Sequence, residues 1–596
     1  MNPLLTEVMN NRVVAMVEEA ATVAYRTAYT TFVKQTQDFQ VALARLSGNF
    51  FAYPVTVGVT PGVGYSIQRL LEHFAFEDLQ PGDVLISNDP FRTGGLVTPM
   101  MDIHLVCPIF VGGKLVCFAW SFVHASDIGG AVPGSISPDL TECFQEGIRL
   151  RPTKLVRAGT LNSDILNVLL DNSRIGDAVW GDLEALMAAM HLLDQRVGEL
   201  CGKVGIDTFH VGVDSVMTYA EHKAREVIAR LEDGTYTSSD YLEGDGPDDA
   251  IHIHCSLTVN GDEAEIDYAG SSPQVQAALN FTTRTRSHPF LCLGLTNYIQ
   301  TVEPTIPING GIIRPITTKA PLGTIMNAEF PAAMGNRWVT SMRIYDALMG
   351  CLNQAIPGGP AACGAAQAGV ISVAWTEPES GRNCVAVVEP FSSGSGGRCQ
   401  ADGVDATDSM LGYLKSTPIE RVEVETSLVV CCHKFVPDRI GHGRHRGGAA
   451  VCIELECRAP GVKIMVHGLE RFRFQPWGVF GGWPGHNGRT VVNSDSETQE
   501  IRAITVLTLG KGDLLHMVSP SGGGFGDPIL REPDLVLRDV LDETITPVEV
   551  ASIYKVVVAD RRVDEAGTKA ARAEATSRSD PIAHGPERQR YGAVGR

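Results

Sequence analysis

The stretch DIHLVCPIFVGGKLVCFAWSFVH, which runs from Asp102 to His124, decides the fold of the N-terminal region. Its two halves are apolar almost throughout, and Gly112 and Gly113 separate them at a turn. A strand with one face in water alternates polar and apolar residues, whereas a run that is apolar at nearly every position is typical of a strand covered on both faces. We therefore expect two buried β-strands here, with the polar residues Asp102 and His124 at their ends.

Helical periodicity surrounds this strand region. Apolar side chains recur at i, i+3 and i+4 positions over residues 4–30, which predicts an amphipathic helix, and residues 162–201 and 212–232 predict further helices. After Gly234 the composition changes to strands, because AIHIHCSLTVNGDEAEIDYAG holds the turn NGD between two alternating runs. The fold class that we expect is a mixed α/β, strand-rich, multidomain protein.

Three regions are expected along the chain. Residues 1–235 would carry a catalytic pocket, and residues 236–560 would form a glycine-rich, β-dominated region with a helix near 340–355. The final segment, 561–596, is poor in large apolar residues and rich in Arg, Ala, Ser and Pro, which predicts a disordered tail.

The composition excludes several classes of partner. The chain has 596 residues, of which 49 are Lys or Arg and 69 are Asp or Glu, so its formal net charge is −20. Such an acidic chain repels phosphate backbones and anionic lipid, so neither nucleic acid nor a membrane is expected as a partner. No apolar run approaches the roughly 20 residues of a membrane span, and the N-terminus MNPLLTEVMNNRVV lacks the features of a signal peptide. The 14 cysteines form no CxxC pair, so we expect a cytoplasmic protein with reduced cysteines.

Polar residues of the N-terminal region indicate a catalytic or metal-binding site. Asp38 begins one strand-like run, Asp102 and His104 lie at the start of a second, and His124 and Asp127 lie at the end of a third. Carboxylates and imidazoles together bind divalent cations. The same residue types also hydrogen-bond local backbone amides, as Asp127 would with the glycine loop that follows it. Spacing alone leaves both interpretations open.

No nucleotide site is predicted in this chain. The segment SPSGGGFGD, residues 519–527, has four glycines whose amides would be able to approach a phosphate. It does not match GxxxxGK[ST], and no Lys follows it. Tight turns between strands explain this segment and the similar SSGSGG equally well.

A series of further segments occurs in one order along the chain. They are SNDPFRTGG, MMDIHLVCPIF, HASDIGGAVPGSISPDLTECFQEGIRLRPTKL, EIDYAGSSPQVQAALNFT, NGGIIRPITTKAPLGTIMN, HGRHRGGAAV, PWGVFGGWPG and SGGGFGDPILREPDLVLRDV. Over residues 5–558 these segments closely resemble the hydantoinase B family, and the resemblance implies a hydantoinase B-like fold. That family contains the B-type components of ATP-dependent hydantoinases and of caprolactamase, the matching half of 5-oxoprolinase, and large subunits of acetone and acetophenone carboxylases.

The resemblance implies a division of labour between subunits. A hydantoinase A-type partner, accompanied by further small subunits in some complexes, would bind ATP and phosphorylate a carbonyl or enol oxygen of a small-molecule substrate. The B-type chain would complete the reaction on the activated intermediate. ATP is therefore expected on the partner and not on this chain, and no biotin is expected.

For hydrolytic members, the resemblance implies a metal-activated water, with Zn or Mn held by Asp and His ligands. Asp38, Asp102 and His124 match three of these ligands. Members that follow the pattern read GGTHLPD, whereas this chain reads GGLVTPMMD, with Pro99 where the remaining His would stand. His104 is the candidate replacement. A site that keeps two carboxylates and one His is expected to bind metal weakly.

The altered metal motif decides which reaction of the family is expected. Opening a lactam requires an activated water, whereas carboxylating an enol phosphate requires positioning and the exclusion of water. We therefore expect a subunit of an ATP-dependent carboxylase that acts on an aromatic, acetophenone-like ketone through a phosphorylated enol. The alternatives are the B-type component of an ATP-dependent hydrolase of a cyclic amide (a hydantoin, lactam or oxoproline) and a scaffold subunit without chemistry of its own.

Five residues are expected to carry the reaction. Asp38, Asp102 and His124 would line the pocket, and Asp127 would orient His124 by accepting a hydrogen bond from it. Arg92 would bind a phosphorylated intermediate, because a guanidinium matches phosphate bidentately. The alternatives are that Asp127 caps its own loop and that Arg92 faces solvent.

Overall fold

The computed structural model describes residues 3–60, 62–244, 249–284, 287–365, 368–408, 410, 412–466, 470–493, 497–501 and 505–591. Its α-helices are α1 (Pro3–Thr27), α2 (Gln68–Leu71), α3 (Ser163–Asn172), α4 (Gly176–Val204), α5 (Ile206–Ile228), α6 (Pro289–Val302), α7 (Trp338–Ala355), α8 (Ile419–Glu425), α9 (Pro533–Leu541), α10 (Pro547–Glu549), α11 (Glu565–Ala573) and α12 (Pro586–Arg590).

The strands are β1 (Phe39–Ala44), β2 (Phe50–Ala52), β3 (Val84–Ser87), β4 (Asp102–Val111), β5 (Lys114–His124), β6 (Thr153–Arg157), β7 (Thr160–Leu161), β8 (Gly234–Glu243), β9 (Ala250–Asn260), β10 (Glu263–Asp267), β11 (Ile316–Lys319), β12 (Ala368–Thr376), β13 (Asn383–Ser392), β14 (Leu428–Phe435), β15 (Val451–Cys457), β16 (Val462–Val466), β17 (Gly478–Val479), β18 (Arg489–Asn493), β19 (Thr498–Ile501), β20 (Val506–Leu509), β21 (Leu514–Val518), β22 (Val558–Ala559), β23 (Arg562–Val563) and β24 (Ile582–Ala583). This mixture of helices and several sheets confirms the expected mixed α/β, strand-rich class.

The chain forms two compact units that are not continuous in sequence. The first contains residues 1–238, 254–348 and 372–388, and the second contains the remaining residues. The expected domain boundary near residue 235 therefore corresponds only to the first point at which the chain passes from one unit to the other. The later segments return to the first unit because α6 and the residues before α7 pack around its polar site.

A seven-stranded antiparallel sheet, in the order β2-β1-β5-β4-β3-β6-β7, organises the first unit. The strands β4 and β5 are buried along most of their length, as their apolar runs predict. Helix α4 covers one face, where Ser121 Oγ donates to Met190 Sδ at 3.4 Å. Because side chains alternate along a strand, the even-numbered residues of β5, Trp120, Phe122 and His124, lie on the opposite face. That face carries the candidate site.

The helices of the first unit follow their predicted positions closely. Helix α1 confirms the amphipathic helix expected over residues 4–30, and Val17 and Ala20 on its apolar face are fully buried. The helix expected over residues 162–201 is divided into α3 and α4. The predicted hairpin around NGD is formed by β9 and β10, with Asn260 opposite Glu263.

Glycine-rich loops of the second unit lie directly against one another. The amide of Gly441 donates to Gly522 O at 2.9 Å, and that of Gly522 donates to Gly448 O at 3.0 Å. A Cβ added at Gly522 would stand only 1.9 Å from the carbonyl oxygen of Ser395. These glycines are therefore required because backbones approach too closely for any side chain.

The expectation of a disordered tail over residues 561–596 is wrong for residues 561–591. Strand β23 pairs with β22, β24 pairs with β17, and Asp564 caps α11. The guanidinium of Arg473 binds Glu587 at 2.8 Å. The polar residues of this segment are thus held by partners distant in sequence, which its composition does not reveal. Residues 592–596 lie outside the described residues.

Two further expectations concern membranes and cysteines. In the part of the chain that the structure describes, no helix is long and apolar enough to cross a membrane. All 14 cysteines are free thiols.

Candidate active site

The ends of β4 and β5 bring Asp102 and His124 together. The two residues stand opposite each other in the antiparallel register, and His124 Nδ1 lies 2.8 Å from Asp102 Oδ1. Both side chains are buried. A neutral His124 that donates from Nδ1 to the carboxylate leaves Nε2 as a proton acceptor. Burial acts to lower the pKa of His124, but the hydrogen bond and charge of Asp102 and the charge of Asp38 outweigh it and raise that pKa.

Asp38 lies at the same end of the sheet, immediately before β1. Its carbonyl oxygen accepts a hydrogen bond from the backbone amide of His124 at 3.1 Å. Desolvation raises the pKa of its carboxyl to about 6, with the charge of His124 opposing and that of Asp102 adding to the shift. The ring of Phe32 contacts His124 edge-on, with the ring centroids 5.5 Å apart. Asp38, Asp102 and His124 thus lie together at one end of the sheet.

A buried arginine, Arg337, supplies a positive charge beside this pair. It immediately precedes α7, and its Nη2 lies 3.7 Å from Asp102 Oδ2. Its Nε donates to Thr98 Oγ1 at 3.2 Å, and Nη2 donates to the Thr98 carbonyl oxygen. The guanidinium carbon lies 5.8 Å from the ring centroids of Phe290 and Trp338. These contacts fix the direction in which the guanidinium points.

Glu146 positions the turn that carries Arg337. One of its carboxylate oxygens accepts hydrogen bonds from the backbone amides of Met334, at 2.7 Å, and of Gly335. Burial raises the pKa of Glu146 to about 7, although the two amide hydrogen bonds and the charge of Arg337 oppose the shift. Glu146 therefore acts on the pocket through the backbone.

Glu146→Gln is expected to flatten the dependence of stability on pH. Since burial raises the pKa of Glu146 from 4.5 to about 7, the folded chain holds this proton more tightly than the unfolded chain. The protonated Glu146 therefore stabilises the folded chain by on the order of 3 kcal/mol. This stabilisation is complete below pH 4.5 and is lost as the pH rises through 7. Urea unfolding at several pH values between 5 and 8 measures this loss. A variant midpoint that falls as steeply as that of the native protein would contradict the assignment.

The rings of Tyr65, His288 and Phe290 pack against one another beside Arg337. The Tyr65 ring makes edge contacts with His288 and Phe290, with centroid distances of 5.5 and 6.4 Å. Burial lowers the pKa of His288 to about 4, and its Nε2 donates to Gly95 O at 3.0 Å. Burial and the charge of Asp102 raise the pKa of Tyr65, whose hydroxyl therefore keeps its proton.

His104, the candidate replacement ligand, is packed among the aromatic side chains of β5. It shares the strand face of Asp102, as its spacing predicts, but its Nδ1 accepts the indole N–H of Trp120 at 3.1 Å. Its ring is stacked on Phe122, with centroids 5.3 Å apart. Burial lowers the pKa of His104 to about 3, so the ring is neutral and carries its proton on Nε2. The aromatic side chains of β5 hold it in the core.

Asp127 holds a loop rather than orienting His124. Its carboxylate accepts hydrogen bonds from the amides of Gly129 and Gly134 at 3.0 and 2.9 Å. It also binds the amide and the guanidinium of Arg174, both at 2.9 Å. These four hydrogen bonds take the place of the expected hydrogen bond to His124. Asp127 therefore caps its own loop, which was the alternative interpretation.

Arg92 is exposed, in agreement with the alternative that it faces solvent. Its backbone amide donates to Asp89 Oδ1 at 3.0 Å, and the buried carboxylate of Asp89 pairs with Arg149 at 3.2 Å. Asp89 therefore shapes the loop. The guanidinium beside Asp102 belongs to Arg337.

The candidate ligands do not fit a divalent metal in this arrangement. Among the described residues, no three of Asp38, Asp102, His104 and His124 place one ligand atom each within 4.8 Å of one another. Ligand atoms about 2 Å from a common ion lie no more than about twice that distance apart. His124 Nδ1 binds Asp102 and His104 Nδ1 accepts from Trp120, so only the Nε2 atom of each ring remains as a ligand atom.

Sequence reasoning missed Arg337 and Tyr65. The only relevant signal was the helix predicted near 340–355, whose preceding residues include Arg337. Arg337 is 239 positions from Thr98, to which it is hydrogen-bonded. No local pattern indicates a contact over that separation.

Comparisons with known proteins agree with this architecture. The B component of a putative D-/L-hydantoinase from Pseudomonas sp. (strain NS671) is 30% identical over 553 residues, which are 90% of this chain and 92% of that relative. The structure of the ATP-dependent caprolactamase from Pseudomonas jessenii has a TM-score of 0.83 at 24% identity, covering 96% of this chain and 100% of the other. A nucleotide-free acetone carboxylase structure has a TM-score of 0.81 at 20% identity, covering 96% and 83%. These structures share the fold.

The family model described as hydantoinase B/oxoprolinase matches residues 2–528. That range contains the strands that carry Asp102 and His124, the turn of Arg337 and the glycine-rich loops. The family expected from the sequence motifs is thus confirmed: this chain belongs to the hydantoinase B/oxoprolinase family.

Proposed function

We propose that this chain is the B-type subunit of an ATP-dependent carboxylase that acts on an aromatic, acetophenone-like ketone through its phosphorylated enol. A hydantoinase A-type partner binds ATP and supplies the enol phosphate. One observation carries the proposal: Asp102 pairs with His124 and Arg337 instead of joining Asp38 and His104 in a metal-binding group.

This arrangement suits carboxylation better than hydrolysis. A hydrolase of this kind requires water activated at neutral pH, the task for which a bound metal is used. Carboxylation requires the enol and the carbon donor to be held together while water is kept out. The apolar strands β4 and β5 and the rings of Phe32, Tyr65 and Phe290 provide such an enclosure.

The His124–Asp102 pair provides the proton transfer that this reaction requires. Bicarbonate attacks the phosphorus of the enol phosphate, and the bond between phosphorus and the enol oxygen breaks, which gives carboxyphosphate and an enolate. His124 Nε2 accepts the bicarbonate proton, because Asp102 holds Nδ1. Carboxyphosphate then separates into CO₂ and phosphate, which takes the proton back, and the enolate carbon bonds to CO₂.

Carboxylation is tested with the chain assembled with its A-type partner. ATP, acetophenone and ¹⁴C-bicarbonate are supplied, and the product is reduced with borohydride before acidification, because a β-keto acid otherwise loses CO₂. Label is expected in the reduced product only when ATP and both subunits are present. Assembly without incorporation from any aromatic ketone would contradict the proposal.

A hydrolase of cyclic amides is the second candidate. It is favoured by the 30% identity to the B component of a putative hydantoinase over nearly the whole chain. ATP-dependent opening of a hydantoin or lactam ring by the same complex, without incorporation of label, would establish it instead.

A further inference from the structure

We propose that Arg337 is the built-in cation of this site and that, together with the hydroxyl of Tyr65, it binds an oxyanion of the activated substrate. That oxyanion is a phosphate group or the carbonate group of carboxyphosphate. The inference deepens the proposed function and rests on it for the identity of the substrate, but not for the existence of the binding site.

The guanidinium is held in one orientation by its neighbours. Thr98 accepts hydrogen bonds from Nε and Nη2, and Asp102 Oδ2 lies 3.7 Å from Nη2. The side chain is 10% exposed, so it is nearly enclosed but not sealed from solvent. Asp102 is the single ion-pair partner of Arg337 within the described part of the chain, and a buried arginine paired at this distance is expensive to retain for stability alone.

The donors that remain belong to Arg337 and Tyr65. Arg337 Nη1 has no hydrogen-bond partner among the described residues, and neither has the hydroxyl of Tyr65. Both side chains pack against Phe290, the guanidinium at 5.8 Å and the phenol ring at 6.4 Å from its centroid. Two unpaired donors beside one ring are suited to an oxygen-rich anion, since an arginine fork and a hydroxyl each donate to separate oxygens.

Arg337 also explains why the carboxylates do not gather around a metal. A fixed guanidinium places positive charge beside Asp102 Oδ2, while His124 binds Oδ1. Unlike a metal ion, a guanidinium holds and polarises an anion without generating hydroxide from bound water. The same group thus supports a reaction in which water attack is unwanted.

Binding of inorganic phosphate to the full chain, measured by isothermal titration calorimetry, tests the inference without turnover. Arg337→Met is expected to weaken binding by at least about tenfold, and Tyr65→Phe by about tenfold, the typical effect of one hydrogen bond to a charged group. Arg151→Met, a change at an exposed arginine, is the control and should leave the affinity unchanged. Thermal unfolding checks that each variant is folded.

Two binding results would overturn the inference. One is phosphate affinity that is unchanged in a folded Arg337→Met or in Tyr65→Phe, the latter covering the case in which the arginine variant does not fold. The other is stoichiometric binding of Zn²⁺ or Mn²⁺ by the native chain that is lost in Asp102→Asn. Carboxylation that proceeds normally with Arg337→Met would overturn this inference while leaving the proposed function intact.

Discussion

Asp102→Asn is expected to lower the turnover of the assembled complex by about 10²–10⁴-fold, the usual contribution of a positioned acid or base. Asp102 is the carboxylate that holds His124 Nδ1, at 2.8 Å. An amide in its place leaves the shape unchanged but no longer stabilises the charged imidazole, and it can turn its NH₂ group toward the ring. The variant also removes the carboxylate that faces Arg337 at 3.7 Å.

The measurement is the rate of ATP-dependent product formation, with assembly followed by size-exclusion chromatography. Asp164→Asn, a change at an exposed residue in the first turn of α3, is the matched control and should retain full activity. A scaffold subunit without chemistry of its own predicts unchanged turnover for Asp102→Asn. Full activity with normal assembly would therefore support the scaffold hypothesis and remove the His124–Asp102 pair from the mechanism.

Gly522→Ala is expected to destabilise the second unit by about 3 kcal/mol or more, because it forces apart packed backbones that cannot relax locally. The new Cβ would lie 1.9 Å from Ser395 O and 3.0 Å from the amide nitrogen of Gly396. To avoid that contact, the loops joined by hydrogen bonds from Gly441 to Gly522 and from Gly522 to Gly448 must separate.

Urea unfolding of the native chain and the variant measures this loss. Gly198→Ala in α4 is the control, since its added Cβ meets no atom within 4 Å. There the gain in helix propensity is expected to stabilise the chain by up to about 1 kcal/mol. A Gly522→Ala protein as stable as the native one would show that these loops are looser than the hydrogen bonds indicate.

Elements with a strong local pattern were predictable from the sequence. The apolar runs of β4 and β5, the period of α1, the hairpin of β9 and β10, and the helix α7 all appear where periodicity predicts them. The tail was not predictable, because its order depends on pairing with distant residues such as Arg473. Composition reports whether a segment is able to bury its own apolar surface, not whether another segment holds its charges.

The candidate site, like the fold, was predictable from the sequence only in part. The sequence motifs by themselves determined the family and the strands that carry Asp102 and His124. Only the tertiary structure decided what the remaining residues do. In the folded chain the indole N–H of Trp120 donates to His104, and Asp127 accepts hydrogen bonds from its own loop. Arg337 is hydrogen-bonded to Thr98, which is 239 positions away in the sequence. The physical reason is that a strand pattern depends on neighbours in sequence, whereas hydrogen-bond partners and local charge depend on which side chains folding brings together in a nearly dry pocket.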